Sequence, residues 1–323
     1  MRVTFNPLMA LACAGVLLFS SCEKQDGMQP ENSVLGSADS THDAVAYSLT
    51  NWMSSVSSTV SLSQLSIPGT HDSGALYEPV SGTAKCQNLT IAQQLNAGVR
   101  FLDVRCRHID NGFAIHHGAI YQNLNFADVR NACLAFLNAN PTECIIMSIK
   151  EEHTPSNNTR TFEQTLDTYL RENPDKWYLG ASVPALSQVR GKIVLLRRFS
   201  AAATPKGIDA TAWLDNTTFD INTAAATLRV QDQYKVSDNA AKWTAMTQLF
   251  SAAKAAAPGR LYINYASGYK PGLFGIPNIN TVANDINSRL STFFGAQTTG
   301  HYGIVPMDFA DANRSNLIVK TNY

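Results

Sequence analysis

Ser66-Ile67-Pro68-Gly69-Thr70-His71-Asp72-Ser73-Gly74 is the stretch on which the reading of this chain turns. The apolar run from Val60 to Ile67 predicts a short strand. Pro68-Gly69 predicts its end, because proline removes a backbone donor and glycine admits unusual backbone angles. His71 and Asp72 follow at once. A histidine beside a carboxylate at the mouth of a strand can act as a general base, a metal ligand or a cap. A turn histidine with a solvated aspartate is the plain interpretation of one such pair. Recurrence argues against it, since other strand ends along the chain also carry polar residues.

Working outward, Val99 to Arg105 (VRFLDVR) alternates apolar with polar residues from Val99 to Asp103, so Asp103 and Arg105 share one face of a strand. The turn signal Asp110-Asn111-Gly112 precedes Phe113 to His117 (FAIHH), which Gly118 ends. Cys144 to Ile149 is an apolar strand reaching Lys150, and Gly191 opens KIVLLRRF, whose polar end is Arg197-Arg198. Leu228 to Val230 leads into Gln231-Asp232-Gln233-Tyr234. Leu261 to Tyr265 and Gly303 to Met307 are the last strands, the second ending at Asp308. Helical spacing predicts helices over Asn88–Ala97, Phe126–Asn138, Thr161–Arg171, Asn239–Ala257 and Val282–Phe294. Strand runs separated mostly by helices predict an α/β fold, a (β/α)8 TIM-type barrel. The stretch between Arg105 and Phe113 is too short for a parallel crossover, which needs about a dozen residues. The expectation is therefore a distorted, irregular barrel with incomplete helical crossovers and an antiparallel excursion at that point.

The chain has 323 residues, formal net charge zero and 45% hydrophobic residues, enough for a large core. Neutral charge gives no electrostatic case for nucleic acid. Residues 1–22 read as a leader: Arg2, an apolar run from Leu8 to Phe19, then Ser20-Ser21-Cys22. The run is short for a membrane span, which needs about 20 residues. Small residues before a cysteine resemble the lipobox of bacterial lipoproteins. That resemblance implies a mature chain lipidated at Cys22, exported and anchored to a bacterial membrane; ordinary secretion is the alternative. Residues 23–45 are polar and are expected to be a flexible tether, with the catalytic barrel over 46–323. Cys86, Cys106, Cys133 and Cys144 remain for a disulfide-permissive compartment, with three full pairings open. Cys86 and Cys106 both follow predicted strand ends and can meet at one face; Cys133 and Cys144 are expected to be buried. The lack of a CxxC spacing argues against a structural zinc site.

At the strand ends stand His71 and Asp72, Asp103 and Arg105, His117, Lys150, Arg198, Asp232 and Tyr234, and Asp308. In a barrel these gather at the C-terminal face, where such enzymes keep their active sites. Two histidines can divide general base and general acid, with carboxylates fixing their tautomers. Arg105 offers a planar fork suited to phosphate. Lys150, Arg198 and Asp232 suit a polyhydroxylated ring, with Tyr234 packing on its face. The set reads as phosphodiester cleavage with a neighbouring hydroxyl as nucleophile.

The segments SIPGTHDSG, GVRFLDVR, IHHGAIY, ECIIMSIKEE, GKIVLLRRF, VQDQYKV, LYINYASG and VPMDF, in this order, resemble the bacterial phosphatidylinositol-specific phospholipase C family from about Leu62 to about Phe309. The resemblance implies cleavage of phosphatidylinositol to diacylglycerol and inositol 1,2-cyclic phosphate, with no cofactor and no metal, and leaves open glycosylphosphatidylinositol anchors, which share the inositol phosphodiester. It implies that His71 is the general base oriented by Asp308, and that His117 is the general acid assisted by Asp72. Arg105, with Asp103 beside it, stabilises the transition state; Lys150, Arg198 and Asp232 bind inositol hydroxyls, and Tyr234 stacks on the ring. It also selects His117 over its neighbour His116, which faces the other way in a strand. The implied partner is a phosphatidylinositol-bearing membrane surface. The loop Ser267–Pro277, carrying Tyr269, Leu273, Phe274 and Ile276, is expected to touch it at the active-site rim. The chain is treated as a monomer. Two other readings compete: a metal-dependent glycerophosphodiester-type phosphodiesterase, and a non-catalytic lipoprotein that binds inositol lipids. The His-Arg-Gly opening of the former is absent here, and the latter needs no base, acid and clamp together.

Overall fold

The structure, a computed structural model, describes residues 35–36, 46–272 and 275–323. Cys22, Leu273 and Phe274 lie outside the described residues. Of the segment expected to be a tether, Leu35–Gly36 pairs antiparallel with Tyr47–Ser48.

The main sheet is built from β1 (Ser66–Thr70), β2 (Phe101–Ile109), β3 (Gly112–His117), β4 (Ile120–Asn125), β5 (Ile145–Glu151) and β6 (Ile193–Arg198). It continues with β7 (Ile208–Asp209), β8 (Thr218–Asn222), β9 (Thr227–Gln231), β10 (Arg260–Asn264) and β11 (Gly303–Met307), and the two-residue strand Trp177–Tyr178 adds to it parallel to β6. The spatial order is β7-β6-β5-β2-β1-β11-β10-β9-β8. All neighbours on this path are parallel except β8 and β9. The path does not close between β7 and β8 among the described residues. The fold is thus a distorted α/β barrel, as the strand pattern predicts, open where a short connection replaces a crossover helix.

The expected antiparallel excursion is present. β3 runs back along β2, and β4 runs back along β3, both off the barrel path. Pro68 and Gly69 correct the sequence reading: they lie inside β1 and do not end it. The Pro68 carbonyl still accepts the Arg100 amide at 2.9 Å, so the missing donor leaves that ladder link intact. Gly69 is needed for close packing, since a Cβ there would sit 3.0 Å from Phe101 Cδ1.

Helices α1 (Ile91–Asn96), α2 (Phe126–Ala139), α3 (Phe162–Glu172), α4 (Asn239–Ala255) and α5 (Ile279–Gly295) fall where helical spacing predicts them, with shifted ends. Capping explains the starts. Thr90 with Gln93 and Thr161 with Gln164 form reciprocal capping boxes that satisfy otherwise orphaned amides. A further helix, α6 (Ala312–Val319), is capped by Asp311.

Alternation along the strands separates two cores. Ile67, Phe101, Ile146, Val194, Leu228, Ile263 and Ile304 fill the barrel interior. Leu102, Met147, Leu195 and Val305 face outward, against Phe126, Leu166 and Ile286 of the helices. Below the interior, Arg100 is buried with Glu143, Nε to Oε2 at 2.9 Å. Its remaining donors meet the carbonyls of Leu49, Thr50, Leu95 and Val99. A charge so deep is tolerable because every donor is used. Cys86, Cys106, Cys133 and Cys144 are all buried free thiols. Cys106 belongs to the outward core and Cys86 lies in a small cluster with Ala75 and Ile279, so the expected meeting of these two does not occur.

Candidate active site

Register places the charged residues. Thr70 pairs with Met307 across β1 and β11, so the next residues, His71 and Asp308, emerge side by side. Their side chains meet at 2.7 Å, Nδ1 to Oδ1. Asp308 Oδ2 also accepts the Gly268 amide at 3.4 Å. On the other side, Arg105, Lys150 and Arg198 stand in one row across β2, β5 and β6, paired Arg105 to Lys150 and Lys150 to Arg198. Residues paired in a parallel ladder point to the same face, so three cations crowd one end of the barrel.

Carboxylates offset that crowding. Asp103 Oδ2 accepts from Arg105 Nε at 3.2 Å and Nη2 at 3.1 Å, and its Oδ1 lies 3.5 Å from Arg198 Nη1. Glu152 Oε2 holds Lys150 Nζ at 2.8 Å. Burial alone would raise the Asp103 carboxyl, but the two guanidinium groups overcome it and hold its pKa far below the carboxylate range. Glu152 is likewise lowered to about 2, where Arg105 and Lys150 outweigh burial. Asp72 behaves oppositely. It is fully buried, neither of its oxygens accepts a hydrogen bond, and burial raises its pKa despite the nearby Arg105 and His117. Its backbone is left-handed, φ 38°, and its amide donates to Asp103 Oδ2 at 3.2 Å. His71 is buried enough to lose its proton more readily than usual, yet the Asp308 charge and hydrogen bond win and its pKa is raised.

His117 comes from the hairpin, at the end of β3. Its Nδ1 donates to the Ala84 carbonyl at 2.7 Å and lies 3.4 Å from Asp72 Oδ2. A carbonyl only accepts, so this bond fixes a proton on Nδ1 and leaves Nε2 for a substrate. Glu152 Oε1 accepts the Gly118 amide at 3.0 Å and ties the hairpin end to the barrel. His116 is buried on the other face, with its ring 5.6 Å from that of Tyr121. Cys86 Sγ approaches His117 Nδ1 to 3.5 Å from behind.

One cavity of about 570 Å³ is bordered by His71, Arg105, His117, Lys150, Arg198, Asp232 and Tyr234. Asp72, Asp103 and Asp308 stand behind these groups. The carboxylates therefore orient and charge-balance, while the histidines and cations face the space. Sequence reasoning missed Trp213, which also borders the cavity. The Arg198 guanidinium lies 3.7 Å from its ring centre, and its Nε1 donates to Asp232 Oδ2 at 3.0 Å. Trp213 precedes β8 in an irregular stretch, so no period marked it. Lys242 of α4 was missed too. It is buried with its pKa lowered to about 7 by burial, and its Nζ bonds Gln231 Oε1 and Gln233 O at 2.9 Å each. It thus braces the turn that carries Asp232. Tyr234 borders the cavity, and its hydroxyl donates to Asp215 Oδ1 at 2.6 Å. At the rim, Leu214 and Ile276 are 53% and 52% exposed, and Tyr269 is half-buried against Tyr234.

Such a barrel mouth brings a paired histidine, a second histidine and a guanidinium fork to one cavity, a set of groups suited to phosphodiester chemistry. Residues 60–199 match the family described as phosphatidylinositol-specific phospholipase C, X domain. The chain is 32% identical over 284 residues to the 1-phosphatidylinositol phosphodiesterase of Staphylococcus aureus, covering 83% of this chain and 90% of that one. It is 29% identical over 286 residues to the enzyme of the same name from Listeria monocytogenes, covering 84% of each chain. Among solved structures, a mutant of the Staphylococcus aureus phosphatidylinositol-specific phospholipase C superposes with TM-score 0.75 at 31% identity, covering 85% of this chain and 98% of that one. The Listeria monocytogenes enzyme gives 0.70 at 26%, covering 85% and 99%. Another Staphylococcus aureus structure addresses modulation of that enzyme's membrane binding. The present chain belongs to the bacterial phosphatidylinositol-specific phospholipase C family.

Proposed function

We propose that this enzyme cleaves phosphatidylinositol, as its family does, by a metal-independent intramolecular transfer that yields diacylglycerol and inositol 1,2-cyclic phosphate. The observation carrying this reading is the pairing of His71 with Asp308 on the same cavity as His117 and Arg105. With Nδ1 bound to Asp308, His71 Nε2 takes the proton of the inositol 2-hydroxyl. That oxygen attacks phosphorus, and the bond from phosphorus to the diacylglycerol oxygen breaks. His117 Nε2 supplies the proton to the leaving oxygen, while the Ala84 carbonyl at 2.7 Å and Asp72 Oδ2 at 3.4 Å hold the Nδ1 side of the ring. Arg105, fixed by Asp103 through two donors, supports the charge that builds on the phosphoryl oxygens in the role a cation plays elsewhere. Lys150, Arg198 and Asp232 receive ring hydroxyls, and Tyr234 lies against the ring. Phosphorus NMR of the products in excess EDTA tests the reading. A cyclic phosphate signal is expected; loss of turnover in EDTA with recovery on calcium would overturn it.

The mature chain is read as a lipoprotein: a signal peptide over 1–22, lipid on Cys22, a tether to residue 45, and the catalytic domain from 46. Leu214 and Ile276, exposed beside the cavity, support a contact with headgroups at the rim that includes Tyr269; Leu273 and Phe274, expected in the same contact, lie outside the described residues. Leu214→Asp combined with Ile276→Asp is expected to weaken binding to phosphatidylinositol vesicles at least tenfold. Cleavage of a short-chain, monomeric substrate should change less than threefold. An equal fall in both would place these residues in the folded site and remove the membrane role.

A further inference from the structure

Cys86 has no place in the chemistry above, yet it stands between the two histidine–carboxylate pairs. Its Sγ groups with His117 and Asp72 on one side and with His71 and Asp308 on the other, each set holding its ligand atoms within 4.8 Å of one another. The sides are not equivalent. His71 and Asp308 already satisfy each other at 2.7 Å. Asp72 is fully buried, and neither of its carboxylate oxygens accepts a hydrogen bond.

We propose that Asp72, Cys86 and His117 form an inhibitory site for a thiophilic divalent cation of the zinc class. Zinc bonds of about 2.3 Å to sulfur and about 2.0–2.2 Å to nitrogen and oxygen, arranged tetrahedrally, set ligand atoms roughly 3.3–3.8 Å apart. Here His117 Nδ1 lies 3.4 Å from Asp72 Oδ2 and 3.5 Å from Cys86 Sγ. One sulfur, one nitrogen and one carboxylate oxygen make a donor set zinc accepts, with the fourth position left for water. The cavity that His117 borders gives the ion its route in. On binding, the Cys86 S–H bond breaks and its proton passes to buffer as the metal–sulfur bond forms. The ion replaces the proton on His117 Nδ1, which also passes to buffer, leaving a neutral imidazole that keeps its hydrogen on Nε2 as a much weaker acid, and the Ala84 carbonyl loses its donor. The imidazole is then held as a metal ligand and no longer delivers a proton to the leaving group.

Cobalt binding reads this site without substrate, so its outcome is independent of the proposed reaction. Titrating the full chain with Co²⁺ alone should produce a thiolate-to-cobalt charge-transfer absorption that Cys86→Ser abolishes and Cys133→Ala and Cys144→Ala retain. In turnover of a short-chain substrate, Zn²⁺ should inhibit the wild type reversibly, with EDTA restoring the rate. Cys86→Ser, normalised to its own rate in EDTA, should need at least tenfold more zinc for half-inhibition. Cys86→Ala serves the same comparison if the serine variant does not fold. A cobalt spectrum without the thiolate band, a band that survives loss of Cys86, or equal zinc sensitivity of variant and wild type would each overturn the proposal.

Discussion

Asp308→Asn changes one buried atom and is expected to disable the base through its tautomer. The surroundings fix how the new amide must sit. The Gly268 amide, 3.4 Å from Oδ2, is a donor and favours the carboxamide oxygen. The NH2 group is then turned toward His71 Nδ1, 2.7 Å from the present Oδ1. A donor facing Nδ1 forces the imidazole proton onto Nε2, the atom that must be bare to accept the inositol hydroxyl proton. The opposite rotamer sets the amide N–H against the Gly268 N–H. Neither arrangement works, and the same exchange in a His–Asp pair lowers kcat about 10⁴-fold through the wrong tautomer. A loss of about 10³–10⁴ in both kcat and kcat/KM is expected, equivalent to roughly 4–5.5 kcal/mol. KM should hardly move, because Asp308 stands behind the cavity wall. The pH profile gives a second readout. A general base works deprotonated, and the raised pKa of His71 puts the acid limb of wild-type kcat/KM above the ordinary histidine value of 6.5. Without the Asp308 charge, burial acts with less opposition, so the limb of residual activity should move to lower pH. Stopped assays on a short-chain substrate across pH measure both. A loss under tenfold with an unmoved acid limb would refute the pairing as the source of the base.

His117→Ala should lose about 10²–10⁴-fold in kcat as the acid disappears, while His116→Ala, on the far face of β3, should keep most activity; the reverse pattern would reassign the acid. Arg105→Lys keeps the charge but loses the fork that engages Asp103 through Nε and Nη2, and should lower kcat about 10²–10³-fold in steady-state kinetics. Glu143→Ala strands Arg100 in a fully buried position and should destabilise the fold by about 3–5 kcal/mol in urea unfolding.

What the sequence reveals follows the physics of each element. Strands with strict polarity at their ends, such as VRFLDVR and KIVLLRRF, announce both the barrel and the side chains at its mouth. The shortness of the Arg105–Phe113 link announces the hairpin. Pro68-Gly69 misleads because local propensity suggests a stop, while the tight approach to Phe101 makes those residues part of the strand. Trp213 is illegible because its value lies in contacts with Arg198 and Asp232, brought together only by the fold. The cysteines mislead in the same way, since spacing cannot reveal that Cys106 packs outward while Cys86 lies behind His117.

The residues proposed as base and acid are held by different means. His71 directly follows a barrel strand flanked by parallel neighbours, and Gln87 Nε2 donates to the carbonyls of His71 and Met307 at 2.8 Å each. Asn287 Nδ2 holds the Asp308 carbonyl at 2.9 Å. The base is thus braced by backbone on several sides. His117 ends a hairpin that lies off the barrel path, so its position rests on Ala84 and on the link from Gly118 to Glu152. Glu152 is also the partner of Lys150, which stands in the cation row beside Arg105 and Arg198. One carboxylate therefore joins the support of the acid to the groups proposed to receive phosphate and inositol hydroxyls. An anion that draws Lys150 into the cavity acts on the same ion pair that fixes the hairpin end. In the proposed mechanism, substrate binding at Lys150 and placement of His117 are linked through Glu152, while His71 is held independently of both.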